Sequence, residues 1–286
     1  MGLGAIGLYL AQELNSAHHQ VSGLDFRTNG AVREISIMSE INQNKNLFHL
    51  NINSQLSSRD EIIIVALKSY ALNDLLISRL IEGPAELLFL QNGLLIKRKL
   101  QNSSSRIAVG TILGIQATLQ NENLRVTVEN SKIAVESQQG CKKIRELALE
   151  NKLPHSMIDN LPTVNIIIYE KFVRWVITSC LNLIYDASLG DCLAKISAED
   201  LIVGISELAI FVENNFDVKV DQTKVFDALY KLPKALKTSS YMDIKKGFPA
   251  EIIFELENAI AYFENINIEC VMLSKWRKEI LNDKYH

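Results

Sequence analysis

Three glycines near the start of the chain have a spacing that suits dinucleotide binding. They lie in the run Met1-Gly2-Leu3-Gly4-Ala5-Ile6-Gly7, a G-x-G-x-x-G pattern, and a stretch of helical character follows at residues 8–15. In dinucleotide folds these glycines make a tight turn, admit the pyrophosphate and let helix and strand pack closely, while the pyrophosphate lies on the helix amides. The candidate cofactor-binding loop is Gly2, Leu3, Gly4, Ala5, Ile6 and Gly7. An ordinary glycine turn is the alternative.

Two charged residues further on bear on the choice of cofactor. Residues 20–25 have the pattern of a second strand, which places Asp25 close to where the dinucleotide fingerprint expects an acid. Asp25 would accept a hydrogen bond from a ribose 2′-hydroxyl and repel a 2′-phosphate. Arg27 could bind that phosphate instead. The first arrangement predicts NAD and the second predicts NADP.

The strand that should lead into the glycine loop is missing, since only Met1 precedes Gly2. In a doubly wound sheet this strand is central, and its absence would expose two strand edges. One interpretation is a start set too late, at a methionine within the true first strand. The other is a truncated, degenerating copy. We expect the first, because the remaining sequence has the pattern of a folded domain.

The first half of the chain has the pattern of a parallel sheet. Continuous apolar runs occur at residues 61–67, 87–90 and 106–110, and helical segments such as 70–81 separate them. Such runs are typical of strands buried on both faces, and their alternation with helices indicates crossover connections. Two alternating stretches, 124–128 and 132–136, predict an antiparallel hairpin.

The second half has the pattern of helices alone. The predicted helices cover residues 166–189, 201–214, 224–232, 250–265 and 272–282. The fold class expected is therefore α/β, with a Rossmann-like parallel-sheet domain at residues 1–163, its first strand truncated, and an all-helical domain at residues 164–286.

Composition excludes several classes of protein. The 286 residues are 48% hydrophobic and 22% charged, which excludes a disordered or collagen-like chain. A net charge of −3 gives no sign of a nucleic-acid partner. The four cysteines form no C-x-x-C pair and the histidines have no metal-like spacing, so we expect no metal and a reducing, cytoplasmic location. No apolar run reaches the ~18 residues of a membrane span.

Six short motifs occur in the order that one enzyme family has them. They are the glycine loop at 2–7, a strand ending in Lys68 (65–68), an asparagine–glycine turn containing Asn92 (90–93), a strand edge at 109–111, Ser239 before residues 243–244, and the pair Glu251–Ile252. In these motifs the chain resembles the ketopantoate reductase family (2-dehydropantoate 2-reductases). The resemblance implies a Rossmann domain followed by a helical domain, and reduction of ketopantoate to pantoate with NADPH, on the route to coenzyme A. It also implies that Lys68 and Asn92 contact the cofactor and that Ser239 and Glu251 contact the substrate.

The long helix departs from the family pattern of a lysine and two asparagines at positions i, i+4 and i+8, which lie on one helix face. Aligned on Glu170 and Asn182, these positions hold Arg174, Thr178 and Asn182. Arginine stabilises an alkoxide and binds a carboxylate, but it stays protonated, so the proton would come from water or Lys68. The alternative is a shifted alignment, with Arg174 on the helix surface. Residues 253–257 also depart from the family, and Glu251 could simply be an acid at a helix N-terminus.

The sequence thus predicts an NAD(P)H-dependent reductase of a 2-keto acid, ketopantoate in the first instance. The predicted catalytic residues are Arg174 and Lys68. The predicted substrate-binding residues are Thr178, Asn182, Ser239 and Glu251. The expected cofactor is NADP, with NAD possible because of Asp25, and the expected state is a monomer or homodimer without nucleic-acid or membrane partners. Two alternatives remain: a non-catalytic family member, and a reductase of another 2-keto acid.

Overall fold

The computed structural model describes residues 4–24, 32–39, 45–53, 62–100, 106–120, 123–137, 141–149, 156–157 and 162–283. The chain forms two compact units. The first comprises Met1–Gln91 and Ile96–Val164, and the second comprises Asn92–Leu95 and Asn165–His286. A four-residue segment from the first half of the sequence therefore belongs to the helical second unit.

A single sheet organises the first unit. Its strands are β1 (Gly23–Leu24), β2 (Val32–Ser39), β3 (Lys45–Asn53), β4 (Ile62–Val65), β5 (Glu86–Phe89), β6 (Ile107–Gln120), β7 (Asn123–Ser137) and β8 (Ser156–Met157). Their order is β1-β3-β2-β7-β6-β5-β4, and β8 pairs with β7. Strands β4, β5 and β6 are mutually parallel, as the apolar runs predict. The accompanying helices are α1 (Ala5–Ser16), α2 (Asp74–Glu82), α3 (Leu95–Leu100) and α4 (Lys142–Leu149), with a short 3-10 turn at Ser69–Ala71.

Alternate residues of these parallel strands belong to separate apolar cores. Ile64, Leu88 and Ala108 pack in a cluster that includes helix α1. The cluster with helix α2 contains the neighbouring strand residues Ile63, Val65, Leu87, Phe89 and Ile107. Successive side chains of a strand point to opposite faces, so the continuous apolar runs correspond to strands buried on both sides. The predicted α/β fold class is confirmed.

The predicted hairpin between residues 124–128 and 132–136 is wrong. Both stretches lie in the single strand β7, which pairs antiparallel with β6 from Asn123 to Ser137. The ladder is interrupted where the register shifts between Leu113 and Ile115. Gly114 stands at this break with a φ of +65°, a conformation that glycine adopts without steric cost. The polar residues between the two stretches therefore mark a bulge and not a turn.

The described residues of the second unit form helices and connecting loops, with no strand among them, as predicted. Its helices are α5 (Pro162–Tyr185), α6 (Leu189–Leu193), α7 (Ala198–Phe216), α8 (Gln222–Lys231), α9 (Ser239–Lys245), α10 (Glu251–Asn265) and α11 (Val271–Asp283). The predicted helix 166–189 ends earlier, at Tyr185, because Asp186 adopts a left-handed conformation with a φ of +49°. No helix in the described part of the chain is both long and apolar enough to cross a membrane.

Candidate active site in the helical unit

Lys171 is the central residue of the candidate site. It projects from the middle of α5 and is half-buried. Its Nζ donates a hydrogen bond to Oδ1 of Asn92, at 3.0 Å. Asn92 begins the segment Asn92–Leu95, which belongs to the same compact unit. The predicted cofactor residue Asn92 is therefore held by a lysine that the sequence alignment passed over.

The surroundings of Lys171 lower the pKa of its ammonium group from 10.5 to about 7. Burial is the largest cause, because it removes water from the charged form. The positive charge of Arg174 lowers the pKa further, and the negative charge of Glu251 opposes both effects. Near neutral pH, Lys171 can therefore both hold and release a proton, which suits a general acid.

Two buried glutamates on α10 face this part of the unit. Glu251 and Glu255 are each 2% exposed and lie one helical turn apart. Glu251 acts on Lys171 through its charge. Glu255 accepts a hydrogen bond at Oε1 from the backbone N–H of Leu95, at 2.9 Å. Glu251 is the first residue of its helix, so it is a helix-terminal acid and also raises the pKa of Lys171 through its charge.

Arg174 lies one turn further along α5 and is half-buried. Its Nε donates to the backbone oxygen of Glu170 at 3.3 Å. Burial lowers the pKa of Arg174, and the charge of Glu170 opposes that shift. The Glu170 carboxylate is itself buried and pairs with Lys224 at 2.8 Å. The positive charge of Arg174 also lowers the pKa of Lys171, which lies one helical turn earlier on α5.

The sequence offered a signal for Lys171 that the alignment did not use. Residues 166–185 contain a single lysine, and it stands next to Glu170 in a mostly apolar helix. A lone lysine in such a helix must be buried at least in part, and buried lysines shift their pKa readily. The alignment anchored on Glu170 and Asn182 led instead to Arg174.

The structure gives Asn182 a different role from the predicted substrate contact. Its Nδ2 donates to the backbone oxygens of Ala187 and Leu236, and its Oδ1 accepts from the N–H of Thr238. The side chain is fully buried. Asn182 therefore holds the loops at Ala187 and at 236–238 to α5. Both polar atoms of its amide are used in these hydrogen bonds. Thr178 is also buried, and within the described residues its hydroxyl has no hydrogen-bond partner.

The predicted substrate serine is exposed, whereas its neighbour is buried. Ser239 starts α9 with its side chain in solvent. Ser240 is fully buried, and its hydroxyl has no partner in the part of the chain that the structure describes. Helix geometry turns successive side chains by about 100°, so one residue decides which of the two points inward. Ser240 replaces Ser239 as the candidate substrate-binding serine.

The predicted nucleotide loop lies at the beginning of α1, in the first unit. Gly4 is the N-cap of this 12-residue helix, and neither a capping side chain nor a first-turn acid occupies its N-terminus. Gly7 is buried. An uncapped helix N-terminus of this kind fits a phosphate group. Gly2, Leu3, Asp25 and Arg27 lie outside the described residues.

Lys68 follows β4 directly and is half-buried. The end of this strand is tied to the end of β5, because Nε2 of Gln91 donates to the backbone oxygens of Val65 and Leu67. Lys68 thus occupies the carboxyl end of a parallel strand, which is the edge where α/β sheets bind ligands. Lys68 belongs to the first unit and Lys171 to the second.

Across the described ranges, no group of three or more His, Cys, Asp or Glu could hold a metal ion.

The shifted pKa of Lys171 predicts how stability depends on pH. Between about pH 7 and 10.5 the unfolded chain binds a proton that the folded chain has released, so the free energy of unfolding rises by up to ~1.4 kcal/mol per pH unit. Lys171→Met removes this dependence. We expect the variant to be more stable than the parent at about pH 6 by ~2 kcal/mol or more, and the difference to shrink toward pH 9. Urea unfolding of both proteins across this range measures it. If the free energy of unfolding depended on pH in the same way in both proteins, the pKa of Lys171 would be that of an ordinary lysine.

Residues 1–138 match a family model described as "Ketopantoate reductase PanE/ApbA". A comparison with curated protein sequences gives no match. Solved structures give the fold over almost the whole chain. A ternary structure of D-mandelate dehydrogenase with NADH and anilino(oxo)acetate aligns with a TM-score of 0.80 and 15% identity, covering 98% of this chain and 96% of that one.

Two further solved structures are ketopantoate reductases. The 2-dehydropantoate 2-reductase from Geobacter metallireducens GS-15 aligns with a TM-score of 0.76 and 19% identity, covering 99% of this chain and 98% of that one. A dimeric ketopantoate reductase from Staphylococcus aureus aligns with a TM-score of 0.75 and 13% identity, with the same coverage. Residues 1–138 therefore match the ketopantoate reductase family, and almost the whole chain shares its fold with ketopantoate reductases of known structure.

Proposed function

We propose that the chain catalyses the NAD(P)H-dependent reduction of a 2-keto acid to a 2-hydroxy acid, with ketopantoate as the first candidate substrate. The observation that carries the proposal is Lys171, hydrogen-bonded to Asn92, with its pKa lowered to about 7. A structural lysine has no need of such a pKa, and burying it costs stability. Perturbed pKa values of this kind cluster at functional sites.

The first unit supports binding of a dinucleotide. The backbone amides of Gly4, Ala5, Ile6 and Gly7 at the uncapped N-terminus of α1 would hold the pyrophosphate, together with Gly2 and Leu3. Asp25 and Arg27 would select between NAD and NADP, and we propose NADP with NAD as the alternative. The bound nicotinamide supplies the hydride. Lys68 and Asn92 are the proposed contacts on the cofactor side.

Lys171 is the proposed general acid, in place of Arg174. The carbonyl oxygen of the substrate gains negative charge as the ketone is reduced, and it then needs a proton. A lysine ammonium with a pKa near 7 stabilises this oxygen through a hydrogen bond and then donates the proton. Asn92 fixes the position of Nζ, and Glu251 favours its protonated form. Counted from Lys171, the positions i+4 and i+8 hold Trp175 and Ser179, so this chain keeps neither asparagine of the family stripe.

The substrate carboxylate is assigned to Arg174. Its guanidinium stays charged and forms paired hydrogen bonds with carboxylates. The hydroxyls of Thr178 and Ser240 and the carboxylate of Glu251 are proposed further substrate contacts. The two hydroxyls are buried without a hydrogen-bond partner among the described residues, which is costly unless a ligand or water satisfies them.

A reductase of an aromatic 2-keto acid is the second candidate function. The D-mandelate dehydrogenase structure aligns with the highest TM-score of the three structures described above. Ile253 and Phe254 stand where the family usually has polar and small residues, and Phe254 is exposed. A non-catalytic role remains the third candidate, although the lowered pKa of Lys171 weighs against it. We propose a monomer or homodimer.

Turnover by the purified protein tests the proposal. Ketopantoate and phenylglyoxylate are each offered with NADPH and with NADH, and loss of the reduced nicotinamide is followed. We expect saturable turnover, with a kcat that falls as the pH rises through about 7, because Lys171 then loses its proton. The keto acid that gives the higher kcat/KM, ketopantoate or phenylglyoxylate, identifies the substrate class. Absence of turnover under all four conditions would favour the non-catalytic alternative.

A further inference from the structure

Glu255 is a buried carboxylate in the part of the chain that departs from the family pattern. It lies on α10, is 2% exposed, and accepts the N–H of Leu95 at 2.9 Å. The two residues are 160 positions apart in the sequence. A buried carboxylate is costly unless hydrogen bonds compensate it, so its retention at this place requires a reason.

Gly93 leaves the space that the Glu255 side chain occupies. A Cβ added to Gly93 would lie 1.8 Å from Oε1, 2.5 Å from Cδ and 2.9 Å from Cγ of Glu255. All three of the nearest atoms belong to this one side chain. The glutamate therefore lies directly over the backbone of the segment Asn92–Leu95 and also bonds to its last residue.

The same segment carries Asn92, whose Oδ1 accepts the hydrogen bond from Nζ of Lys171. Two helices thus hold the segment Asn92–Leu95. Helix α5 holds it through Lys171, and helix α10 holds it through Glu255. We propose that Glu255 is a positioning residue for the reductase reaction, holding the segment Asn92–Leu95 so that Asn92 fixes the Nζ of Lys171 in its catalytic position. The reaction itself rests on the proposed function, whereas the positioning of Lys171 can be measured without it.

Two variants of Glu255 and one control variant separate positioning from simple stability. Glu255→Gln keeps an oxygen that can accept the Leu95 N–H, and it should keep kcat within about threefold of the parent. Glu255→Ala loses the bond and the covering side chain, and it should lower kcat by ~10- to 100-fold, with KM changing far less. Glu257→Ala is the matched control, because Glu257 lies on the same helix, is exposed and pairs with Arg277.

A double-mutant cycle with Gly93 makes the test sharper. Gly93→Ala should lower kcat by ~10-fold or more, because its methyl group collides with Glu255. In the Glu255→Ala background the same substitution should cost less than about threefold, since the colliding side chain is gone. Equal costs of Gly93→Ala in both backgrounds would overturn the proposal, and so would a parent-like kcat for Glu255→Ala.

The pKa of Lys171 provides a readout that needs no turnover. The rate at which Lys171 is acetylated is measured against pH by mass spectrometry. We expect Glu255→Ala to raise this pKa by about one unit as water enters the loosened site, and Glu255→Gln and Glu257→Ala to leave it unchanged. If the parent lacks reductase activity but this shift occurs, the positioning stands and the reductase proposal fails. If turnover is normal and the Lys171 pKa is the same in all variants, the positioning proposal fails alone.

Discussion

Lys171→Met is expected to lower kcat for keto-acid reduction by ~10³-fold or more, while the protein remains folded. The substitution removes the proton donor and the charge that stabilises the developing alkoxide, and each of these effects contributes ~10²-fold or more. Methionine matches the length and apolar stem of lysine, so packing within α5 changes little. Steady-state kinetics with the preferred acid and cofactor measure the loss. Lys278→Met, at an exposed lysine of α11, is the matched control and should behave like the parent.

Lys171→Arg and Arg174→Met separate the roles of the two cations. Lys171→Arg keeps a positive charge but cannot release the proton, so kcat should still fall by ~10²-fold. Arg174→Met should chiefly raise KM, because the substrate carboxylate loses its partner. It should also move the fall of kcat to higher pH, because the charge of Arg174 lowers the pKa of Lys171. If Arg174→Met abolished kcat and Lys171→Met did not, Arg174 would be the catalytic residue.

Glu207→Ala is expected to destabilise the helical unit by about 3 kcal/mol. Glu207 lies on α7 and is 7% exposed, and its carboxylate caps the N-terminus of α11. Its Oε1 accepts from Val271 and Met272 at 2.7 and 3.0 Å, and its Oε2 accepts from Leu273 at 2.8 Å. These backbone N–H groups have no partner within their own helix. Removing the carboxylate leaves the N–H groups of Met272 and Leu273 buried and unsatisfied, which is more costly than the loss of an ordinary surface cap.

Cys270 adds to the same arrangement. Its Sγ lies 3.5 Å from Oε2 of Glu207, and burial followed by the charge of Glu207 raises the pKa of the thiol to about 12. The thiol therefore stays protonated and donates to the carboxylate. Glu207→Gln keeps one acceptor oxygen, so it should cost about half as much as the alanine substitution.

Urea unfolding followed by tryptophan fluorescence measures these stability changes. Both tryptophans, Trp175 and Trp276, belong to helices of the second unit. The exposed residue Glu213, on the same helix as Glu207, gives the control variant Glu213→Ala, which should stay within ~0.5 kcal/mol of the parent. A cost for Glu207→Ala no larger than for this control would show that α11 does not depend on the buried carboxylate.

The fold class could be predicted from the sequence because it depends on local periodicity. The runs at 62–67 and 87–90 contain no polar residue that would require a solvent-facing side, so their strands must be covered on both faces. The helical pattern after residue 165 was equally clear. The hairpin at 124–136 was wrong because the polar residues 129–131, which lie opposite Gly114 at the bulge, have the same local signature as a turn. Only the pairing with β6 distinguishes the two.

The sequence by itself determined the α/β fold, the helical second half, the position of the glycine loop and the family resemblance. Only the tertiary structure decided which side chains meet. Lys171 and Arg174 are three residues apart and lie on neighbouring parts of one helix surface, so periodicity cannot choose between them. Ser240 faces inward and Ser239 does not, because the rotation of a short helix is fixed by its neighbours. The bond from Leu95 to Glu255 joins residues 160 positions apart, and no local pattern records such a contact, because packing of distant segments creates it.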